Sequence, residues 1–149
     1  MNKLIFEQDI SNFVTRCSYL EHFRGKRFVI TGSTGLIGSI LVKCLIALEK
    51  QSGLGMTIYC VCRDKVKASN LFDLRLPYVF AITMSDFATL ESSLVGGHVD
   101  YIIHAAAPTA SSYFTTMPIE TYEGIVGITK FVLERAMGLK AKSIVYLSS

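Results

Sequence analysis

Residues Thr31 to Ser39 read TGSTGLIGS and set Gly32, Gly35 and Gly38 three apart. An apolar run precedes them and an apolar-periodic run follows. Glycines between a strand and a helix suit anion binding. The turn aims the helix N-terminus above the sheet, where unpaired N–H groups and the helix dipole favour negative charge. Gly32 would permit the tight turn, Gly35 would let the chain approach a pyrophosphate with no Cβ in the way, and Gly38 would let the helix lie close to the strand. This is the logic of a dinucleotide fingerprint, shifted from the usual G-x-G-x-x-G spacing. Ser33, Thr34, Leu36 and Ile37 belong to the same turn and join the glycines as expected cofactor contacts.

Other segments could also carry chemistry. HAAAP, His104 to Pro108, puts small side chains at a strand end, where a flat cofactor can lie against the backbone. His104 itself reads as a strand-end histidine with a structural hydrogen bond. The chain ends on an apolar run followed by Ser148 and Ser149. Cys17, Cys44, Cys60 and Cys62 form no C-x-x-C pair. Cys60 and Cys62 should point to one side of a strand, and all four read as reduced thiols of a cytoplasmic protein. The three histidines stand far apart in the sequence, so no metal site is expected.

The elements that must hold these residues can be read from hydrophobic spacing. Phe6, Ile10, Phe13, Val14, Cys17 and Leu20 recur at helical intervals, predicting an amphipathic helix over about 7–22. Strands are predicted at 27–31, 56–62, within YVFAI, at 101–104 and within SIVYL. Helices are predicted at 36–50, where QSGLG stops the first, and at 118–137, with a connection or short helix in RDKVKASN and a loop and short helix in SDFATLESSL. Alternation of this kind gives a parallel sheet with helices on both faces.

The totals agree with one such domain. Of 149 residues, 50% are apolar and 18% charged, enough for a core with both sheet faces covered. A net charge of +3 with scattered lysines and arginines argues against nucleic acid. No segment approaches the ~18 apolar residues of a membrane span, and MNKLIFEQDI is not a signal peptide. The expectation is a soluble, cytoplasmic protein with no membrane partner.

TGSTGLIGS, then HAAA, then VYLSS resemble the extended short-chain dehydrogenase/reductase family, with nucleotide-sugar epimerases, dehydratases and UDP-glucuronate decarboxylases as the most similar group. The N-terminal helix and DYIIHAAAPTASSYFTTMPIETYEGIVG resemble bacterial members linked to surface-polysaccharide synthesis. The resemblance covers nearly the whole chain. It implies a Rossmann-type, doubly wound α/β fold of about five parallel strands with an extra N-terminal helix. Residues 1–24 would be a helical extension, and 25–149 an NAD(P)-binding domain truncated after strand five, its substrate lobe absent. NAD or NADP would be the cofactor, and a nucleoside-diphosphate sugar the substrate of the parent enzyme.

The same resemblance implies roles. The acidic residue that usually ends strand two is replaced by Cys62, and Arg63 follows. An arginine there can pair with the 2′-phosphate of NADP, whereas similar sugar-modifying enzymes more often carry NAD, so the choice stays open. Asp86, with Phe87, matches a short motif whose aspartate accepts from the adenine amino group; a helix N-cap is the competing role. Ala105, Ala106 and Ala107 would lie along the ribose and nicotinamide. Ser111, Ser112 and Tyr113 could touch substrate, although surface polarity explains them equally well. Family members continue as S-S/T-x-x-V-Y-G, which puts Ser149 at the catalytic hydroxyl.

Two departures stand out. No tyrosine here has a lysine four places on, so the family's Tyr-x-x-x-Lys pair is missing, and Gly124 stands where asparagine is usual. The expectation is a cofactor-binding part that binds dinucleotide without turnover and self-associates through uncovered apolar surface. Two alternatives remain: an NADP-dependent carbonyl reductase of the same superfamily, or a non-catalytic nucleotide-binding or interaction module.

Overall fold

The computed structural model describes residues 3–94, 97–108 and 111–147. In chain order the elements are α1 (Lys3–Arg16), a 3-10 turn (Leu20–Phe23), β1 (Arg27–Thr31), α2 (Leu36–Ser52), β2 (Thr57–Val61), α3 (Lys65–Leu71), β3 (Val79–Ile82), α4 (Met84–Ser93), β4 (Tyr101–His104), α5 (Ser111–Thr116), α6 (Pro118–Gly138) and β5 (Ser143–Tyr146). The five strands form one parallel sheet in the order β3-β2-β1-β4-β5. β1 pairs with β2 on one side and β4 on the other, so the strand order reverses there.

Side chains alternate along the strands and build a core on each face. Phe28 and Ile30 of β1 join Ile58 and Cys60 of β2 against Val42, Leu45 and Ile46 of α2. Val29 and Val61 face the other way, with Ile102 of β4, against Phe87 and Leu90 of α4 and Val132 of α6. Val29 and Ile30 are wholly buried, a burial worth about 1.5–3 kcal/mol for each such side chain. Cys60 and Cys62 lie in the same core cluster, and burial, followed by the neighbouring Cys62, pushes the Cys60 thiol up to about 12.

Two expectations change. The helix predicted over 7–22 ends at Arg16, and its last part is a separate 3-10 turn. The break lets Leu20 and Phe23 reach the sheet, where the Phe23 and Phe28 rings lie 5.8 Å apart. It also leaves Phe13, counted in the apolar stripe, 43% exposed, while Val14 is buried. The polar stretch after HAAAP contains a helix, α5, too short for periodicity to reveal.

At the amino ends of the strands Asp100 is buried against three chain segments. Its Oδ2 accepts the Arg27 backbone N–H at 3.0 Å, and Oδ1 lies 2.6 Å from Lys142 Nζ and 3.3 Å from Lys26 Nζ. Its own N–H donates to Arg27 O, and its carbonyl accepts from the backbone of Lys142 and Ser143. One residue thus ties together the starts of β1, β4 and β5. Burial opposes its charge, but hydrogen bonds from Lys142, the Arg27 backbone and Lys26 prevail and hold the carboxyl at about 2.

Candidate functional site

The carboxyl ends of β1 and β4 meet at the strand-order reversal, the position where open α/β sheets form a crevice. Gly32 follows β1 with φ +65°, in the left-handed region. A Cβ there would stand 2.6 Å from the Ala105 carbonyl oxygen and 2.8 Å from Ala106 N. The glycine turn and the loop after β4 therefore touch backbone to backbone. Gly38 is tighter still, since its Cβ would lie 2.3 Å from Gly32 O. Gly35 differs: its φ of −78° is ordinary, it is exposed, and its Cβ would meet only Gly32 O, at 3.1 Å. Gly32 and Gly38 shape the turn, while Gly35 keeps its outer face bare.

Gly35 is also the N-cap of α2, and no side chain caps that end. No acidic residue stands in its first turn, and Leu36 and Ile37 are exposed there. A 17-residue helix thus presents uncapped N–H groups beside a bare glycine, an environment that fits a phosphate. Ser33 does not face outward. It is buried, and its hydroxyl donates to Val61 O at 2.9 Å while its N–H reaches the same oxygen at 3.3 Å. It braces the turn against β2. Thr34 is half-buried beside it.

Across the crevice Ala105 and Ala106 are half-buried and Ala107 is exposed. His104 is buried below them. The Thr129 hydroxyl donates to Ile125 O at 2.8 Å, so it can only accept from His104 Nε2, 3.4 Å away. Nε2 therefore carries the proton, and Nδ1 accepts from the Thr31 hydroxyl at 2.6 Å. Burial lowers the His104 pKa, which keeps the ring neutral. His104 is a brace between β1 and α6, as the strand-end position suggested. Thr31, its partner, escaped the sequence reading because it lies 73 residues away.

The outer edge of the crevice runs along β2 and β3. Cys62 is buried, and its thiol points back to Ile82 O at 3.6 Å. Arg63 is exposed. The Asp64 carboxylate caps α3, accepting from Val66 N at 2.8 Å and Lys67 N at 3.2 Å. Asp86 sits in the first turn of α4 and forms a capping box with Thr83: Thr83 N donates to Asp86 Oδ2 at 2.8 Å, and Asp86 N to Thr83 Oγ1 at 3.2 Å. The N-cap is thus Thr83, and Asp86 is its reciprocal partner. Lys65 Nζ stands 2.9 Å from the same Oδ2. The Thr83 backbone N–H, then Lys65, hold this carboxyl at about 2. The Thr-x-x-Asp spacing was a readable signal for the box.

Phe87 does not line the crevice. It is wholly buried and meets the Phe131 ring edge-on at 5.8 Å, fastening α4 to α6. Ser112 and Tyr113 are exposed on α5, and Ser111 begins that helix. Ser149 lies outside the described residues. The structure thus brings together the glycine turn, the alanines after β4 and the Arg63–Asp86 edge.

A family model described as the NAD dependent epimerase/dehydratase family matches residues 28–149. Solved structures share the fold. The Bordetella bronchiseptica enzyme WbmF in complex with NAD+ is 23% identical, with a TM-score of 0.62 over 84% of this chain and 36% of that one. UDP-glucose-4-epimerase from Stenotrophomonas maltophila, with bound NAD and formylated UDP-arabinopyranose, is 16% identical, with a TM-score of 0.64 over 83% of this chain and 37% of that one. DesIV, a dTDP-glucose 4,6-dehydratase from Streptomyces venezuelae with NAD and TYD bound, is 21% identical, with a TM-score of 0.62 over 79% of this chain and 38% of that one. The chain thus spans well under half the length of these structures. No curated protein matches the sequence.

Proposed function

The chain belongs to the NAD dependent epimerase/dehydratase family, and we propose that it is the dinucleotide-binding part of an enzyme that oxidises a hydroxyl of a nucleoside-diphosphate sugar. The observation that carries this is the backbone contact of Gly32 with Ala105 beside the uncapped end of α2. The first-turn N–H groups of α2 hold the pyrophosphate, and Gly35 lets it come close. Asp86 has Oδ2 engaged by Thr83 and Lys65, and offers Oδ1 to the adenine amino group. Ala105, Ala106 and Ala107 leave room for the ribose and nicotinamide. The bound cofactor supplies hydride acceptance from the sugar carbon.

These residues hold the cofactor but do not complete the proton transfer, because no Tyr-x-x-x-Lys pair is among them. Ser149 stands at the register of the catalytic hydroxyl, and Ser111 and Ser112 at the start of the sugar pocket. The domain division is residues 1–24 as a helical extension and 25–149 as the cofactor domain. Ile119, Tyr122, Val126, Leu133 and Met137 of α6 and Val145 of β5 are exposed, a surface that favours self-association. Sedimentation at rising concentration checks this, and a strictly monomeric chain counts against it. Free thiols at all four cysteines suit a reducing, cytoplasmic setting, and among the described residues no helix is long and apolar enough to cross a membrane.

Calorimetric titration of the folded chain with NADH and NADPH tests the reading. Micromolar binding with no turnover of UDP-sugars is expected. Binding of neither dinucleotide overturns it. One observation favours a second, non-catalytic reading: a Cβ at Gly124 would meet nothing within 4 Å, so packing does not exclude the family's asparagine. Turnover restored by Gly124→Asn in a chain that carries the tyrosine helix would count against that alternative.

A further inference from the structure

We infer that the adenosine-ribose edge of this site selects a 2′-phosphate, so that the chain prefers NADPH to NADH; this rests on the cofactor reading above and deepens it. A free ribose 2′-hydroxyl is ordinarily held by a carboxylate at the end of the second strand. Here the position holds Cys62, buried, with its thiol turned to Ile82 O. Asp64 and Asp86, the carboxylates that follow β2 and β3, each have one oxygen engaged. Asp64 accepts two backbone N–H groups as the cap of α3. Asp86 is held by Thr83 and paired with Lys65.

Arg63 is the charged group left over. It is exposed and makes no ion pair or side-chain hydrogen bond among the described residues. It also stands beside the glycine turn. Thr31 pairs with Val61, and Ser33 N–H and Oγ both bond to Val61 O, so the two chains continue side by side past the strand ends. Arg63 follows Val61 by two residues, as Ser33 follows Thr31. A guanidinium there can grip a phosphomonoester with two parallel N–H bonds. A 2′-hydroxyl in the same place finds no carboxylate at the strand-end position, which Cys62 occupies, and gains far less from the cation than a phosphomonoester does.

The test is calorimetric titration of the 149-residue chain with NADPH, NADH, adenosine 2′,5′-bisphosphate and 5′-AMP, repeated on Arg63→Ala and Arg63→Glu. Arg63 is exposed, so both variants should keep the wild-type circular dichroism. The expected result is about a tenfold or greater preference for each 2′-phosphorylated ligand, lost in Arg63→Ala and reversed in Arg63→Glu. NADH bound as well as or better than NADPH overturns the inference and leaves the cofactor reading standing. An NADPH preference that survives Arg63→Ala overturns the assignment to Arg63. Binding of neither dinucleotide overturns the cofactor reading, and this inference with it.

Discussion

The two ends of the sheet are built on opposite plans. At the carboxyl ends of β1 and β4 side chains are withheld: Gly32 touches Ala105 through backbone alone, and Gly35 leaves a helix end bare. At the amino ends of the same strands a side chain is thrust inward. Asp100 is buried and gathers the Arg27 N–H and two lysines. The difference teaches how one scaffold separates binding from cohesion. The open end gives up packing to keep backbone donors available. The closed end gathers the Arg27 N–H and two lysines on one carboxylate and holds the strand starts together.

The sharpest way to break this comparison is Gly38→Ala. Its Cβ would meet Gly32 O at 2.3 Å, so α2 must lift from the turn. Dinucleotide affinity should fall more than about a hundredfold, with a stability loss of about 1–3 kcal/mol. Calorimetry and urea melts measure both. Near-normal affinity would mean that the glycine turn does not form the site.

Next comes Asp100→Ala, where the effects should invert. Loss of a buried, charge-assisted hydrogen-bond centre should cost about 2–3 kcal/mol in urea melts. Affinity in the folded fraction should stay within about twofold. A comparable loss of affinity would show that the two ends are coupled.

The pH dependence separates the ends more finely. His104 has its pKa lowered by burial, so its share of stability is complete above the ordinary histidine value of 6.5 and drains as the pH falls below it. Asp100 is held at about 2 against an ordinary 3.8, so its share is intact above 3.8 and is lost as the pH drops towards 2. Urea midpoints across this range should therefore fall in two stages. His104→Asn should remove the upper stage, and Asp100→Ala should shrink the lower, to which Asp86 also contributes. A single stage that neither variant changes would refute both assignments.

The smallest effect is expected from Lys65→Ala. The Lys65–Asp86 pair is half-exposed and bridges the first turns of α3 and α4 at the open end. The urea midpoint should not move measurably, while 5′-AMP binding should shift slightly if Asp86 holds the adenine.

Sequence spacing reveals whatever is local. β1 and β4 run over the predicted residues because apolar runs bounded by turn residues mark short buried strands. The glycine turn is legible for the same reason, since three glycines between strand and helix form a contiguous signal. Position in the turn alone does not reveal that the Ser33 hydroxyl is turned inward by Val61, which arrives from another strand. Phe87 is expected beside Asp86 at the cofactor, whereas helical phase turns its ring into the core. Asp100 was invisible because its partners, Arg27 and Lys142, lie 73 and 42 residues away.

The pairing of β1 with β4 also sets a timetable. Both braces between them, Arg27 with Asp100 and Thr31 with His104, join residues 73 apart. Closing a loop of that length costs ~4 kcal/mol of chain entropy before any contact repays it. The strand at the centre of the sheet is thus made before β2 and β3 yet gains its second neighbour only after both. A nascent chain that has delivered the glycine turn and β2 has only half a crevice until residues 101–107 leave the ribosome. During that interval one edge of β1 lacks its neighbour, and chaperones would meet the molecule there.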